Sequence, residues 1–546
     1  MEHLRSRNER AYAHALATTL ARKGSYVRWM DAIDARMQNC LQQREPRVIP
    51  HLRFDQLYVV SDLHFGGDVG FQIFGSTDAM VWLLGELGRR DPDQQIALLI
   101  NGDFIDFLAE SDPRHFDPFG AITKLERIAQ TDPTFQPIFA ALRAFLDRPN
   151  RHLIVNLGNH DLELALPWVR RRLAELLVGE APEDGDATRR LHLVTDGTGV
   201  SCTVGGRSVL CVHGNEVDRW NPADFERIRE IGRDVQLGRP VDPWIPNAGT
   251  QMVIDVMNGV KRTFPFVDLL KPEKEGVVPV LAACDPSQLA SLDRVAGLVG
   301  VAANRLSAAL RKPRGMLGEE ATSAPLSAAS SPLAGAFSRS DARIVADQMM
   351  LAVEEAVRRD LDPLEMVEGL EASQLGMAGA LWKWINDQPT EEVLREALDK
   401  LDRDRSFDTR DYDDTAKALD KEISPVIDFV VAGHTHLERA LARRNGGGVY
   451  FNSGTWARLM RIVPKVRQDA ADFARLYKVL QHGDMRKLDA EPGLVFKPNS
   501  VVAIRAQAAG AAKGQLFHIA AIPSAPKTPT AYQWEAVPDT EFVRAG

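Results

Sequence analysis

The chain has 546 residues, of which 45% are hydrophobic and 26% are charged, an ordinary balance for a globular protein. This length indicates more than one structural unit. It also allows a hydrophobic core large enough to be stable without disulfide bonds or structural metal ions. The formal net charge of -9 argues against nucleic acid as a general partner, because phosphate contacts need a basic surface.

Residues 1–50 are predicted to form an N-terminal helical segment. Apolar residues recur there at helical spacing after Ser25, which can serve as an N-cap. The first residues lack the apolar stretch of a secretory signal. The four cysteines lie far apart, at Cys40, Cys202, Cys211 and Cys284. We therefore expect a cytoplasmic protein with reduced thiols.

Short apolar strands alternate with helices from residue 51 to residue 215. The predicted strands are Leu57–Val60, Ile96–Ile100, Leu153–Asn156 and Val209–Val212, and Asp78–Arg89 is a predicted helix. The strand pattern resumes with Ile427–Ala432, Val449–Ser453, Val501–Ile504 and Leu516–Ile519. Such alternation is typical of a layered α/β domain with buried strands. Residues 51–215 and 425–525 are therefore predicted to form one discontinuous core, followed by a C-terminal tail at 526–546.

A mostly helical insertion at 216–424 separates the two parts of this core. It contains a Ser-, Ala-, Pro- and Gly-rich stretch near 313–339 that is typical of a flexible linker. The apolar helical stretches at 250–310 have two interpretations, which both stay open. They pack as an ordinary helical domain, or they form a groove for an acyl chain or a peripheral membrane contact.

Five short motifs follow the predicted strands in a fixed order. They are Ser-Asp62-Leu-His64, Gly102-Asp103-Phe-Ile-Asp106, Gly158-Asn159-His160-Asp161, Val-His213-Gly and Gly433-His434-Thr-His436. In α/β folds, functional groups gather on loops at the carboxyl ends of strands. Carboxylates, amide oxygens and imidazoles are ligands that first-row divalent metals accept. Two such metals side by side can bind a phosphate and stabilise its in-line displacement, so the motifs predict a two-metal hydrolase centre.

Two of the motifs carry paired ligands with one residue between them. Because side chains alternate along a strand, Asp62 and His64 are expected on the same side of an extended segment. The same spacing places His434 and His436 together. Since the insertion begins after the His213 motif and ends before this pair, we expect it to lie over the site as a cap.

The central motifs supply the remaining groups. Asp103, on a turn opened by Gly102, is the natural carboxylate to bridge two metals, and Asn159 offers a neutral amide oxygen. We expect His160 to donate a proton or to stabilise an oxyanion, with Asp161 orienting its ring.

Three further residues are weaker candidates for the site. Asp106 is expected to be a hydrogen-bond partner of a metal ligand, although it could instead cap a helix. Asn215 and Glu216 follow His213 directly. They contact the substrate or they shape the turn, and the sequence favours neither.

Together the motifs resemble those of the calcineurin-like metallophosphoesterases, whose pattern DxH, GDxxD, GNHD, H and GHxH is matched at every position. The resemblance covers 54–215 and 425–460. It implies a two-sheet β-sandwich flanked by helices, here with the large helical insertion. It implies one metal held by Asp62, His64, Asp103 and His436. It implies a second metal held by Asp103, Asn159, His213 and His434.

The resemblance also implies an activity. A metal-bridging hydroxide would attack a phosphomonoester, phosphodiester or pyrophosphate, with His160 against the scissile phosphate. Mn²⁺ is the favoured metal, with Fe, Zn, Ni or Co as alternatives. Protein phosphatases of this class carry Arg and Glu where this chain has Phe107 and Asp161, which argues against that role.

The segments SDLHFG, GDFIDFL and VHGNEVD look most like the bacterial UDP-2,3-diacylglucosamine pyrophosphatase branch, in which a helical insertion caps a lipid substrate. That branch typically has Arg at the position of His160, and its insertion is shorter.

We expect a small phosphorylated substrate, nucleotide- or lipid-linked. Two alternatives stay open: a nuclease, which would need a basic open groove, and a non-catalytic scaffold that binds partners through the insertion. The sequence leaves the oligomeric state open.

Overall fold

The structure, a computed structural model, describes residues 52–109, 116–179, 185–218, 221–241, 244–247, 250, 253, 258–261, 263–270, 284, 391–392, 394–395, 398, 407–461, 469–482, 484–522 and 530–545. The helical segment predicted at 1–50 and the linker predicted near 313–339 lie outside these residues, as does most of the insertion. Among the described helices, none is both long and apolar enough to cross a membrane.

Each of the eight predicted strands overlaps a strand of the structure, and the described residues contain eight more. In chain order they are β1 Leu52–Phe54, β2 Gln56–Val60, β3 Ile96–Asn101, β4 Arg151–Asn156, β5 Leu191–Val194, β6 Val200–Val204, β7 Arg207–Cys211, β8 Phe429–Ala432, β9 Glu438–Ala442, β10 Val449–Ser453, β11 Leu459–Met460, β12 Val495–Phe496, β13 Ser500–Ala506, β14 Ala512–Ile522, β15 Ala531–Ala536 and β16 Phe542–Arg544. Every residue of β2 and β10 is buried, as expected for strands covered on both faces.

Helices cover the outer face of the fold. They are α1 Thr77–Arg89, α2 Ala121–Glu126, α3 Gln136–Leu146, α4 Pro167–Val178, α5 Asp186–Arg190, α6 Phe225–Gln236, α7 Asn258–Lys261, α8 Asp414–Glu422, α9 Ala470–His482 and α10 Met485–Ala490. Helix α6 begins at Phe225 because the side chain of Asp224 caps it by accepting from the Arg227 N–H.

Within the described residues, two large sheets pack face to face. The first has the strand order β1-β6-β7-β8-β10-β9, and the second has the order β15-β14-β13-β2-β3-β4-β5, with β16 paired to β14. One hydrophobic cluster joins their inner faces, including Leu57, Leu99, Val431 and Phe451. A second cluster joins the other face of the second sheet to α1, α3 and α4. The predicted α/β sandwich flanked by helices is confirmed.

The C-terminal residues differ from the prediction. The sequence predicted a tail at 526–546, but β15 and β16 both pair with β14 and extend the second sheet. The strand β15 reads AYQWEA and is mostly exposed, so it lacks the apolar run used to identify the buried strands. Its aromatic residues nevertheless pack on the core, where Trp534 lies edge-to-face with Phe517.

Two parts of the described insertion join hydrophobic clusters of the core. On α6, Ile228 and Ile231 are buried in the cluster on the helical face of the second sheet. Residues of the 3₁₀ turn Pro265–Leu269, together with Leu394 and Leu398, form a smaller cluster with α9 and α10. The insertion is therefore anchored to the core at these described positions.

Candidate metal centre

The carboxyl ends of parallel strands from both sheets meet at one edge of the sandwich. In the second sheet, β2, β3 and β4 run parallel, and in the first sheet β7, β8 and β10 do so. Each of the five motifs leaves one of these strands. The structure groups the donor atoms of six of the seven predicted metal ligands, Asp62, His64, Asp103, His213, His434 and His436. The seventh, Asn159, lies in a loop whose neighbouring residues Gly158 and His160 contact Asp103.

The first group of ligands comprises Asp62, His64 and His436. The Nε2 atoms of the two histidines lie 3.1 Å apart, and Nε2 of His436 lies 3.3 Å from Oδ1 of Asp62. All three side chains are buried. Their donor atoms lie within 4.8 Å of one another, which is close enough for one ion.

The second group comprises Asp103, His213 and His434, whose donor atoms also lie within 4.8 Å of one another. Oδ2 of Asp103 lies 3.2 Å from Nε2 of His213. The same oxygen lies 3.7 Å from Nε2 of His64, in the first group. Asp103 thus stands between the two groups, where a bridging carboxylate would be needed.

Two buried atoms, one on Asn159 and one on His213, fit a metal ion rather than a hydrogen-bond partner. Oδ1 of Asn159 and Nε2 of His213 are buried without a hydrogen bond in the structure. Native interiors rarely leave such atoms unsatisfied. The other ring nitrogen of His213 lies 2.8 Å from the carbonyl oxygen of Asn101, which can only accept. That contact fixes the proton on Nδ1 and leaves Nε2 free to bind a cation.

Carboxylates orient the imidazoles of His64 and His434 in the same way. Nδ1 of His64 lies 3.0 Å from Oδ2 of Asp106, and Nε2 of His434 lies 2.8 Å from Oδ2 of Asp218. Each contact leaves the second ring nitrogen for a metal. The prediction for Asp106 included such a contact. Asp218 was not among the predicted site residues, and its only sequence signal is an acidic residue five positions after His213.

The paired motifs reach this geometry by a different backbone path from the one predicted. The segments Asp62–His64 and His434–His436 are not extended. Five candidate ligands have left-handed backbone, with φ of 53° at Asp62, 48° at His64, 51° at Asp103, 68° at His434 and 59° at His436. Non-glycine residues rarely adopt this conformation, and such strain concentrates at functional sites. Strand alternation therefore does not explain why the pairs converge.

Cross-sheet hydrogen bonds hold these turns in place. The backbone N–H of His434 donates to Asp62 at 3.0 Å, and the Thr455 hydroxyl donates to the Asp62 carbonyl at 2.8 Å. The Asn101 amide donates to the Val212 carbonyl at 2.7 Å. These bonds link loops that are distant in sequence, which is why periodicity could not indicate them.

His160 and Asp161 have different surroundings from those predicted. The carboxylate beside the His160 ring is that of Asp106, whose Oδ1 lies 3.3 Å from Nδ1 of His160. The fully buried Asp161 accepts hydrogen bonds from the backbone N–H groups of Phe104 and Gly158, at 2.8 and 2.7 Å. The structure thus gives Asp106 the orienting position that the sequence assigned to Asp161. Asp161 instead joins the Asp103 loop to the His160 loop.

Glu216 and Asn215 shape the turn after His213. The carboxylate of Glu216 accepts from the backbone N–H groups of His213 and Gly214, at 3.1 and 2.6 Å. The buried amide of Asn215 donates to the Asn221 carbonyl at 3.2 Å. Of the two interpretations left open by the sequence, these contacts favour the turn.

The charges of the cluster are strongly coupled. Burial favours the neutral form of Asp62, but His436 and His213 outweigh it and lower the Asp62 pKa to about 2. Burial also opposes ionisation of Asp103, yet His213 and His160 hold its pKa well below the usual range. Burial disfavours the His213 cation, but Asp103 raises the pKa of His213 to about 10. Asp161 differs, because burial and the nearby Asp103 raise its pKa to about 7.

Residues 56–264 match the family model described as calcineurin-like phosphoesterase, which is the metal-dependent hydrolase family that the motifs resemble. The matched segment contains four of the five motifs, and the fifth lies in the later strands of the same sandwich. No curated protein matches the chain.

Metal binding is expected to release a proton and to tighten as pH rises. With a pKa of about 10, His213 is protonated at neutral pH, and its proton must leave before Nε2 can bind a cation. One released proton corresponds to about a tenfold gain in Mn²⁺ affinity per pH unit. Calorimetric titration between pH 6 and pH 8, in buffers of different ionisation enthalpy, measures both effects. An affinity that did not change with pH would contradict this assignment.

Gly158→Ala is expected to lower Mn²⁺ affinity, by about tenfold or more. A Cβ at this position would clash with the carboxylate of Asp103 and with its backbone nitrogen, and would displace the bridging ligand. The matched control is Gly88→Ala in α1, where the added Cβ meets Arg148 only at 3.9 Å. Equal affinities for the two variants in the same titration would show that the loop tolerates the displacement.

Proposed function

Because residues 56–264 match the calcineurin-like phosphoesterase model, we propose that this chain is a metal-dependent phosphoesterase that cleaves a phosphomonoester, phosphodiester or pyrophosphate bond of a small phosphorylated compound. The net charge of -9 supports a small substrate over nucleic acid, since the chain offers no excess of cations for a phosphate backbone.

The observation that carries this proposal is the position of Asp103 between two groups of buried donors. Each group holds an imidazole beside this one carboxylate, Nε2 of His213 at 3.2 Å and Nε2 of His64 at 3.7 Å. Two divalent ions held in these groups would supply Lewis-acid charge to a bound phosphate. The strands fix the ligands in place before any substrate arrives, which is the preorganisation that phosphoryl transfer requires.

His160 is the imidazole that a substrate can reach. Its side chain is 22% exposed, whereas the side chain of His213 is fully buried and that of His64 is 3% exposed. Asp106 lies against the Nδ1 side of the His160 ring and stabilises a positive charge there. His160 is therefore suited to contact the phosphate and to give a proton to the leaving oxygen.

Asp106 is suited to this task because it stays ionised. Burial favours its neutral form, but His160 and His64 outweigh burial and hold its pKa well below the usual range. The backbone N–H groups of Leu108 and Ala109 donate to its Oδ1 at 3.1 and 3.0 Å and fix the carboxylate. One carboxylate thus orients both a metal ligand and the reactive imidazole.

We propose Mn²⁺ as the activating metal. The donors are carboxylate, amide and imidazole groups, which suit Mn²⁺ and leave Fe, Zn, Ni or Co as alternatives. Cys211 lies on β7, two residues before His213, but burial raises the pKa of its thiol well above the usual range. The neutral thiol offers no soft ligand that would select a different metal.

The full chain is expected to hydrolyse bis-p-nitrophenyl phosphate or p-nitrophenyl phosphate with Mn²⁺ and to lose this activity in a chelator. Asp103→Ala should abolish both metal binding and turnover. His160→Ala should keep the metals but lower kcat by about 10²- to 10⁴-fold, because only proton transfer is removed. Turnover that survives in His160→Ala would contradict the role of His160. The preferred ester distinguishes a diesterase from a monoesterase.

Asp106→Asn is expected to lower metal affinity or kcat by about 10- to 100-fold, since the isosteric amide cannot stabilise the two imidazoles as a carboxylate does. A loss of bound metal would report the effect on the metal ligand His64. A lower kcat at full metal content would report the effect on His160. The matched control is Asp147→Asn at the exposed end of α3, which should leave both quantities unchanged. Wild-type values in Asp106→Asn would show that the carboxylate is dispensable.

A further inference from the structure

The two carboxylate oxygens of Asp62 have different neighbours. Oδ1 lies 3.3 Å from Nε2 of His436, which in turn lies 3.1 Å from Nε2 of His64, so Oδ1 faces the donor atoms of the first ligand group. Oδ2 lies 2.5 Å from the hydroxyl oxygen of Ser61. The backbone N–H of His434 lies 3.1 Å from Oδ1 and 3.0 Å from Oδ2 and favours neither. The difference between the oxygens therefore comes from Ser61 and His436.

Ser61 is itself fixed by a second serine, Ser453, at the end of β10. The two hydroxyl oxygens lie 2.8 Å apart, and both residues are fully buried. A hydroxyl has one proton to donate, and the Asp62 carboxylate is the nearest and strongest acceptor for that of Ser61. The Ser453 hydroxyl then donates to Ser61, which lies nearer than the Ala432 carbonyl at 3.0 Å. The hydrogen bonds form a chain from Ser453 through Ser61 to Oδ2 of Asp62, in which each bond strengthens the next.

The protein backbone closes the same side of the carboxylate. A Cβ added to Gly433 would lie 2.6 Å from Oδ2 of Asp62 and 2.5 Å from the Ser61 hydroxyl oxygen, so the Gly433 backbone already packs against both atoms. The Oδ2 side of the carboxylate is thus occupied by the Ser61 hydroxyl and by Gly433. Oδ1 is the oxygen turned toward the metal ligands His64 and His436.

The number of carboxylate oxygens that bind a metal decides how much of the metal stays open. A carboxylate that coordinates through one oxygen occupies one position around the metal, whereas one that coordinates through both oxygens occupies two. Metal sites that perform catalysis keep a position open for water or substrate. Restricting Asp62 to Oδ1 therefore leaves a position on the metal of the first ligand group that a second oxygen of Asp62 would otherwise take.

We infer that Ser61, held by Ser453, is a positioning residue that keeps Oδ2 of Asp62 away from this metal and so keeps a coordination position open for the phosphate of the substrate. This inference rests on the proposed function, because it concerns the metals of the same centre. It assigns a role to two serines that offer no ligand themselves.

A purely structural role for Ser61 leads to a different expectation. Ser61 directly follows β2 and Ser453 ends β10, so the contact between them also joins the two sheets. Losing only that joint would loosen the Asp62 turn and weaken the binding of metal and phosphate together. Losing the positioning contact frees Oδ2 to bind the metal, so the metal is kept and the phosphate is lost. Metal and phosphate affinities measured on one variant therefore separate the two roles.

The test measures binding and not turnover. The full chain is titrated with Mn²⁺, and the Mn²⁺-loaded chain is then titrated with inorganic phosphate, both by calorimetry. In Ser61→Ala we expect the Mn²⁺ affinity not to fall and the phosphate affinity to fall about tenfold, because the freed oxygen takes the position that the phosphate needs. A phosphate titration of the Co²⁺-loaded chain, followed by the visible absorption of Co²⁺, shows that the phosphate binds at the metals. It should show the same loss.

Two further serine variants complete the comparison. Ser453→Ala removes the donor to Ser61 but keeps the Ser61 hydroxyl on Asp62, so the phosphate affinity should fall by less than in Ser61→Ala. The matched control is Ser201→Ala on β6, which loses a buried serine hydroxyl that makes no hydrogen bond in the structure. It should bind Mn²⁺ and phosphate as the wild type does. Should Ser61→Ala not fold, equal phosphate affinities of Ser453→Ala and Ser201→Ala would overturn the inference.

Wild-type phosphate affinity in Ser61→Ala would also overturn the inference. A parallel loss of Mn²⁺ and phosphate affinity would do so as well, because it would give Ser61 a structural role alone. If the chain binds Mn²⁺ and phosphate but hydrolyses no phosphate ester, the proposed function fails while the result for Ser61 stands. The two failures are therefore distinguishable.

Discussion

The carboxylate of Asp103 is only 1% exposed and lies among imidazoles that come from different strands of two sheets. An ionised carboxylate so deeply buried is unfavourable unless cations or hydrogen-bond donors surround it. The structure meets this requirement with His213 at 3.2 Å and with the backbone N–H of His160 at 2.9 Å. The placement of the other ligands follows from this requirement, since each must reach the same buried position.

The turns that carry these ligands are held against their own conformational preference. The left-handed backbone at Asp62 and His434 persists because the two residues restrain each other, with the His434 N–H bonded to the Asp62 carboxylate. Glycines allow the close approach that results. At Gly433, a Cβ would lie 2.6 Å from the Asp62 carboxylate, which excludes any larger residue without movement of the loop.

The sequence was sufficient to predict eight of the strands and the position of the motifs directly after them, because both depend on local signals. Apolar runs such as β10 identify strands covered on both faces, and the motifs follow such strands directly. The layered α/β domain follows from this alternation, and the two-sheet sandwich was implied by the resemblance of the motifs. Strand β15 escaped prediction because its stability comes from pairing with β14 and from its aromatic residues, and neither leaves an apolar run.

The details of the site depended on contacts between distant residues, which the sequence does not display. Asp161 directly follows His160 in the chain, whereas Asp106 belongs to an earlier motif, and only the folded structure shows that the Asp106 carboxylate faces the His160 ring. The contact between Asp218 and His434 joins residues 216 positions apart. The role of the insertion as a cap stays a prediction, because most of it lies outside the described residues.

The separation of the ligands along the chain has a consequence for the order in which the protein folds during synthesis. His64 and His436 are 372 positions apart, and β2 gains its partner β13 only when residues 500–506 have been made. Contacts so distant in sequence form late, and the earlier strands emerge first. The nascent core therefore carries an open sheet edge and lacks two of the seven predicted ligands, His434 and His436, while the insertion is being translated. A metal can bind with full affinity only after this closure, so it stabilises the finished fold and does not nucleate it.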